Sequence, residues 1–197
     1  MSHETDKPVT ETGLDLSGQF LLAMPGVVGG PLADTIIYVC EHNADGALGL
    51  VVNRPTDITV GDLLQRIDLD LALEIGPVKD APVFFGGPVQ TDRGFVLHVP
   101  SGSYSSSVHL GSMTLTTSRD ILQDVSQGHG PDRLMVSLGY AGWGAGQLED
   151  ELASNAWLNV KATEEILFDV PAERRYEAAL AQLGINPAML TGEAGHA

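Results

Sequence analysis

The chain has a single cysteine, Cys40, and therefore no intrachain disulfide. A protein without paired thiols suits a reducing compartment. Positive charge is scarce as well. Ten lysines and arginines stand against 26 acidic side chains, giving a formal charge of −16 over 197 residues. The lysines, Lys7, Lys79 and Lys161, are scattered, and so are the arginines apart from the neighbours Arg174 and Arg175. Nucleic-acid affinity comes largely from Lys and Arg neutralising phosphates, so nucleic acid is not an expected partner. An anionic membrane surface is disfavoured on the same ground. No run approaches the ~18 uninterrupted apolar residues of a membrane helix; the most apolar opening segment, 20–28, is broken by Pro25 and Gly26. Residues 1–15 are polar and acidic and lack the apolar core of a secretion signal. A cytoplasmic location is the expectation. Familiar catalytic signatures are missing too. There is no CxxC, no GxSxG nucleophile elbow, no HExxH pair and no GxGxxG fingerprint. These absences weaken thioredoxin, hydrolase, zinc-protease and dinucleotide-binding readings, and neither a cofactor nor a metal is expected.

What is present describes a folded chain. Hydrophobic residues make up 43% with mean hydropathy near zero, which excludes wholesale disorder. The length suits one domain that removes roughly 70% of its unfolded surface from water. Residues 1–14 read as a mobile acidic tail, 15–190 as a single domain, and 191–197 as a second short tail. Runs rich in Val, Ile, Leu, Phe and Thr at 20–24, 35–40, 48–53, 82–85, 94–99, 113–117 and 134–138 predict strands, each bounded by Gly, Pro, Asn or Asp. Apolar residues at helical spacing predict helices over 60–71 with Thr59 as cap, 118–127, 147–156 and 171–183, with one further turn at 163–168. The last helix should bury Tyr176, Leu180 and Leu183. Strands and helices alternate irregularly, which predicts α+β rather than a doubly wound sheet.

Several groups of residues have chemical potential. Cys40 and His42 are two apart, so on a regular strand they share a face with Ile36 and Tyr38. A thiol beside an imidazole suits a thiolate nucleophile or a redox sensor; the plainer alternative is a buried thiol and a structurally satisfied histidine. The segments 49–55 and 94–100 share the pattern Gly, three apolar residues, a polar residue, any residue, Pro. Chance explains the echo, or it marks two equivalent strands that bring Asn53 and His98 to similar sheet ends. Gly86 and Gly87, with Arg93 close behind, suit either an anion-holding turn or a tight structural one. Arg119 opens the helix at 118–127, either as an anion contact or in an ion pair with Asp120 or another acid. Four glycines around Tyr140 and Trp143 fit a crossover packed on the core, or a cleft wall. Glu149, Asp150 and Glu151 fan apart on a helix and read as a solvated face.

A series of motifs then brings a resemblance into view. It runs from Gly18-Gln-Phe-Leu-Leu-Ala-Met-Pro25 through Tyr38-Val-Cys-Glu-His-Asn43, Gly46-Ala-Leu-Gly49 and Asn53-Arg-Pro55. It continues with Phe85-Gly-Gly-Pro-Val89, Asp92-Arg-Gly-Phe-Val-Leu-His98 and Thr117-Ser-Arg-Asp120. It closes with Leu138-Gly-Tyr-Ala-Gly-Trp143, Gly146-Gln-Leu-Glu149, Asn155-Ala-Trp-Leu158 and the terminal Gly195-His-Ala197. In this order over 18–197, the chain resembles the YqgE/AlgH family of bacterial proteins. The resemblance implies an α+β fold with a mixed β-sheet curled toward a barrel and flanked by helices. It implies no reaction, although some members are described as regulators of transcription. The expectation is a non-enzymatic binding or regulatory module for a small anionic ligand or a protein partner, with Asn53, Arg54, Gly86, Gly87, Arg93, His98 and Arg119 framing its cleft. The alternative is a thiol- or histidine-assisted hydrolase or transferase acting on a small anionic substrate through Cys40, His42 or His98. A DNA-binding regulator ranks third, because the charge opposes it.

Overall fold

Apolar runs separated by turn residues pair into one sheet. In the computed structural model, which describes residues 13–190, the strands are β1 (Gln19–Ala23), β2 (Ile36–Asn43), β3 (Gly46–Val51), β4 (Pro55–Thr59), β5 (Pro82–Phe85), β6 (Val89–Val99), β7 (Ser107–Leu110), β8 (Met113–Thr116), β9 (Arg133–Gly144) and β10 (Trp157–Lys161). The α-helices are α1 (Val60–Arg66), α2 (Arg119–Ser126), α3 (Gln147–Ala153) and α4 (Arg175–Gln182). Of the expected tails, 1–12 and 191–197 lie outside the described residues. The sheet order is β10-β1-β2-β3-β9-β6-β8-β7, with β5 beside β9 and β4 on β5. The β5–β9 pair is parallel and the others are antiparallel. The mixed sheet curls into a half-barrel flanked by helices, the α+β architecture expected.

Both faces of the sheet are covered, which is why its central strands read as continuous apolar runs rather than as strict alternation. Period-two alternation sorts their residues between two cores. Phe20, Leu22, Ile36, Tyr38 and Leu50 join Phe95, Leu97 and Met135 under Ala179 and Leu180 of α4. Leu21, Ile37, Val39 and Val51 join Trp143 and Trp157 under Leu148 of α3. A third core sets α1 and α2 against Val83, Val96 and Val136. Thr59 caps α1 as expected. Its side chain accepts from the Asp62 N–H while Asp62 accepts from the Thr59 N–H, each at 3.1 Å. The helix stops at Arg66, short of 71, because Asp68 turns into the left-handed region. Leu183 lies past the end of α4 and is 40% exposed, so it drops out of the expected stripe.

Strand β9 holds the sheet together, and it is longer than its apolar run of 134–138. Residues 133–138 pair with β6, and 141–144 pair with β3. Gly139, at φ +79, is the joint between these halves. The glycine-rich stretch expected as a crossover is therefore strand. β4, β7 and β10 are absent from the sequence reading because they are short, and β4 and β7 carry few apolar residues. β7 and β10 form the two ends of the strand order, where exposure tolerates such composition in β7.

The Tyr38 hydroxyl is buried with no hydrogen-bond partner among the described residues, while its ring packs edge-on against Phe20 at 6.1 Å. An unpaired buried hydroxyl costs about 1–3 kcal/mol. Tyr38→Phe keeps the ring and removes that cost. It is expected to raise stability by about 1 kcal/mol in urea denaturation, with an unchanged slope. A drop of similar size would show that the hydroxyl has a partner.

Candidate functional site

Cys40 and His42 do not share a face. The β2–β3 register runs from Val39 opposite Gly49 directly to Glu41 opposite Leu48, leaving Cys40 as the extra residue of a β-bulge. The bulge reverses the alternation that a regular strand would continue. Cys40 thus sits in the core with Ile36 and Tyr38, while His42 turns to the other side, toward Leu16 and α3. Burial, with a smaller push from Glu41, raises the thiol well above its ordinary range. Its sulfur contacts the Tyr38 carbonyl at 3.8 Å. The environment holds it as a protonated, apolar side chain, the opposite of an activated thiolate.

His42 is a fold clamp. The Leu16 N–H donates to Nδ1 at 3.1 Å, so Nδ1 carries no proton and Nε2 does. Nε2–H then donates to a Glu149 carboxylate oxygen in a short bond. Both ring nitrogens are occupied and the side chain is fully buried. The carboxyl of Glu149 is held below its ordinary range by its own backbone N–H first and by His42 second. Glu151 accepts from the Trp143 indole N–H at 2.7 Å. The acidic run of α3 is therefore not simply a solvated face: two of its three carboxylates fasten the helix to the sheet.

His98 is also committed on both sides. Nδ1–H donates to the Pro100 carbonyl at 2.8 Å, and Nε2 accepts from the Thr116 hydroxyl at 2.7 Å. With its proton directed there, Thr116 in turn accepts from Ser107 at 2.7 Å. This relay ties β6, β8 and β7 together. Burial lowers the pKa of the imidazole and keeps it neutral; the bond to Pro100 opposes that shift only in part. The echo between 49–55 and 94–100 does not survive. His98 lies within the β6 ladder opposite Leu134 and Thr114, whereas β3 ends at Val51 and Asn53 lies beyond it.

The remaining expected cleft residues serve separate parts of the fold. Asn53 accepts from the Ile36 N–H and donates to the Asp34 carbonyl at 3.0 Å. Arg54 donates to the Ala33 carbonyl, so the two together fasten the turn before β2. Gly86 donates to Leu138 O and accepts from Val51 N–H, each at 2.8 Å. An added Cβ at Gly86 would lie 2.3 Å from Gly139 O, and one at Gly87 would lie 2.0 Å from the Tyr140 carbonyl carbon. These glycines allow backbones to touch rather than forming an anion cradle. Arg93 lies over the Phe95 ring at 5.1 Å. Arg119 donates to Ile67 O at 2.6 Å, closing the C-terminus of α1. Asp120 is held by Ser105 and Ser118 instead of by Arg119.

The expected cleft is therefore dispersed. Arg119 lines a cavity of about 230 Å³ beside α1 and α2. Tyr140, Gly142 and Trp143 line an open groove of about 520 Å³, but Glu41 and Asp45 lie in it, which opposes an anion. The better cavity lies elsewhere. Between β4, β5, the middle of β9 and the segment entering α4 is a space of about 360 Å³, walled by residues such as Pro55, Phe84, Leu167 and Pro171 and reached by Arg175. Sequence reasoning passed over Arg175 as one of two adjacent arginines. A signal was present: it stands four residues before Ala179, on the buried stripe of α4.

Among the described residues, no helix is long and apolar enough to cross a membrane, and no group of three or more His, Cys, Asp or Glu side chains could hold a metal. Comparison with known proteins adds lineage to this geometry. Residues 20–188 match a family described as AlgH-like. The chain is 66% identical to a UPF0301 protein of Bordetella petrii, covering 98% of this chain and 92% of the relative. It is 57% identical to one of Ralstonia nicotianae, covering 93% and 96%. The solution structure of the AlgH protein from Pseudomonas aeruginosa superposes with a TM-score of 0.77 at 44% identity, covering 98% of this chain and all of that one. A crystal structure from Corynebacterium diphtheriae shares the fold alone, with a TM-score of 0.69 at 16% identity over 90% of this chain and 91% of that one. Model match, sequence identity and superposition agree, and the chain belongs to the YqgE/AlgH family.

Proposed function

We propose that this protein is a non-enzymatic binding module of its family, holding a small ligand or a protein partner without transforming it. The observation that carries this reading is the commitment of every candidate catalytic side chain to the fold. Cys40 is sealed in the core and stripped of an imidazole neighbour by the β-bulge. His42 and His98 each have both ring nitrogens in hydrogen bonds to protein groups. General-base or nucleophilic work needs a group within hydrogen-bond reach of a substrate, and none of the three offers one. The hydrolase or transferase alternative would need these bonds to open. Direct binding to DNA is opposed by the charge of −16. A reducing, cytoplasmic setting fits a protein whose lone thiol is kept from solvent.

Thiol labelling tests the reading. Cys40 in the folded protein is expected to resist an aromatic disulfide reagent at neutral pH for hours and to react at once in guanidinium. Rapid native labelling that is lost on replacing His42 would restore the catalytic alternative.

A further inference from the structure

We propose that the cavity beside α4 is a binding site for a small monocarboxylate on an apolar body, held by the guanidinium of Arg175. The proposal rests on the binding-module reading and names its ligand class.

Arg175 is 7% exposed. A guanidinium has five N–H donors. Nε–H donates to Val170 O at 2.9 Å, and Nη1 serves Val52 O and, at 3.7 Å, the Met135 sulfur. Three donors are thereby engaged, and the Phe84 ring lies 5.1 Å from the guanidinium carbon. The two donors of Nη2 have no hydrogen-bond partner among the described residues. The ion pairs there are His42–Glu149, Arg133–Glu164 and Arg133–Asp169, so no carboxylate of a described residue lies within 4.0 Å of Arg175, and Glu173 acts on it only at longer range. This is unexpected in so acidic a chain. Burying a cation costs several kcal/mol unless it is paired. Carbonyls and a ring offset part of that cost, and a neutral donor would anchor α4 equally well. A charge retained here, beside an open cavity, suits an anion that arrives from outside.

The cavity specifies the rest. At about 360 Å³ it is near the small end of ligand sites. Its walls are mostly apolar, with one cation to orient the guest, the usual composition of a small-molecule site. The two N–H bonds of Nη2 diverge, so one of them gives a carboxylate oxygen a charge-assisted hydrogen bond while the other is left to water in the open cavity. A phosphate dianion would leave charge unpaired among apolar walls, and Glu173, which also lines the cavity, would repel it more strongly than a monoanion.

Amide ¹H–¹⁵N NMR titration of the full chain with phenylacetate and with hexanoate tests the site, with phenylacetamide as the neutral match. Saturable shifts are expected at Leu134, Leu167 and Ala172, with binding of the amide weaker by about tenfold or more. Ala172→Trp fills the cavity, leaves Arg175 in place and should abolish binding. Glu173→Gln should tighten it. Arg175→Gln should erase the preference for carboxylate over amide; if that variant does not fold, the other two variants and the amide comparison decide. The proposal is overturned if neither carboxylate gives saturable shifts there up to about 10 mM, or if phenylacetate and its amide bind alike. An inert Cys40 with an unresponsive cavity ends this proposal alone, whereas rapid native labelling of Cys40 that depends on His42 ends the binding-module reading whatever the cavity does.

Discussion

Gly87→Ala is expected to cost on the order of 4 kcal/mol, combining overpacking at roughly 1–3 with backbone strain of similar size. Gly87 joins β5 to β6 at φ +155, and its missing Cβ leaves room for the Tyr140 peptide, 2.0 Å from where that carbon would stand. The fit is reciprocal. A Cβ on Gly139 would lie 2.3 Å from Gly87 O, and one on Gly86 would lie 2.3 Å from Gly139 O. Backbone atoms cannot swing aside as a side-chain tip can, so β9 would have to separate from the connection. Since β9 pairs with β3, β5 and β6, the damage would spread across the sheet. Gly94→Ala is the control. Its nearest atom beyond its chain neighbours would be Leu138 Cδ2 at 4.0 Å, and its stability should stay within about 1 kcal/mol of the parent. Urea midpoints of the two variants make the comparison. A parental midpoint for Gly87→Ala would mean that the β5–β6 connection is not pinned against β9.

Those glycines also show where the sequence was legible and where it was not. A pair of glycines after an apolar run announces a special backbone, and that much is local. Whether the backbone cradles an anion or another strand depends on Gly139 and Tyr140, some fifty positions away, and no local rule reaches them. Apolar runs such as 20–24 and 82–85 predicted their strands because burial on both faces leaves a continuous signature. β4 and β7 left none, because exposed residues need no apolar pattern, and β10 was too short for its buried Trp157 and Val160 to mark a strand. The same-face reading of Cys40 and His42 failed through a single bulge, since one extra residue reverses every later side chain. Asn53, Arg54 and Arg119 were singled out as polar residues near element ends, expected to frame a ligand cleft. Their work there is to bond carbonyls at Asp34, Ala33 and Ile67, a role that composition does not separate from ligand binding. Arg175 was missed for the opposite reason. Its distinction is that, among the described residues, it is buried without an ion pair, and adjacency to Arg174 conceals it.

The clamp between His42 and Glu149 spans 107 positions and gives the other large expected effect. His42→Ala should cost roughly 3 kcal/mol. It leaves the buried Leu16 N–H without its acceptor, about 1–3 kcal/mol, and removes a charge-assisted bond to Glu149 of about 1.5–3, discounted because that carboxylate is 38% exposed. The two bonds can be separated by shape. His42→Asn keeps an acceptor near the Nδ1 position, and His42→Gln keeps a donor near Nε2, so each should recover part of the loss. A cycle of His42→Ala with Glu149→Ala should return a coupling of about 1 kcal/mol. The pH dependence has a definite sign. Because the folded carboxyl of Glu149 lies below its ordinary value of 4.5, its contribution is complete above that value and is lost as pH falls through the lower folded one. The parent should therefore lose stability more steeply than Glu149→Gln below about pH 4.5. A coupling near zero, with parallel acid curves for parent and Glu149→Gln, would mean that α3 is held by Leu148 and the Trp143–Glu151 bond without help from the histidine.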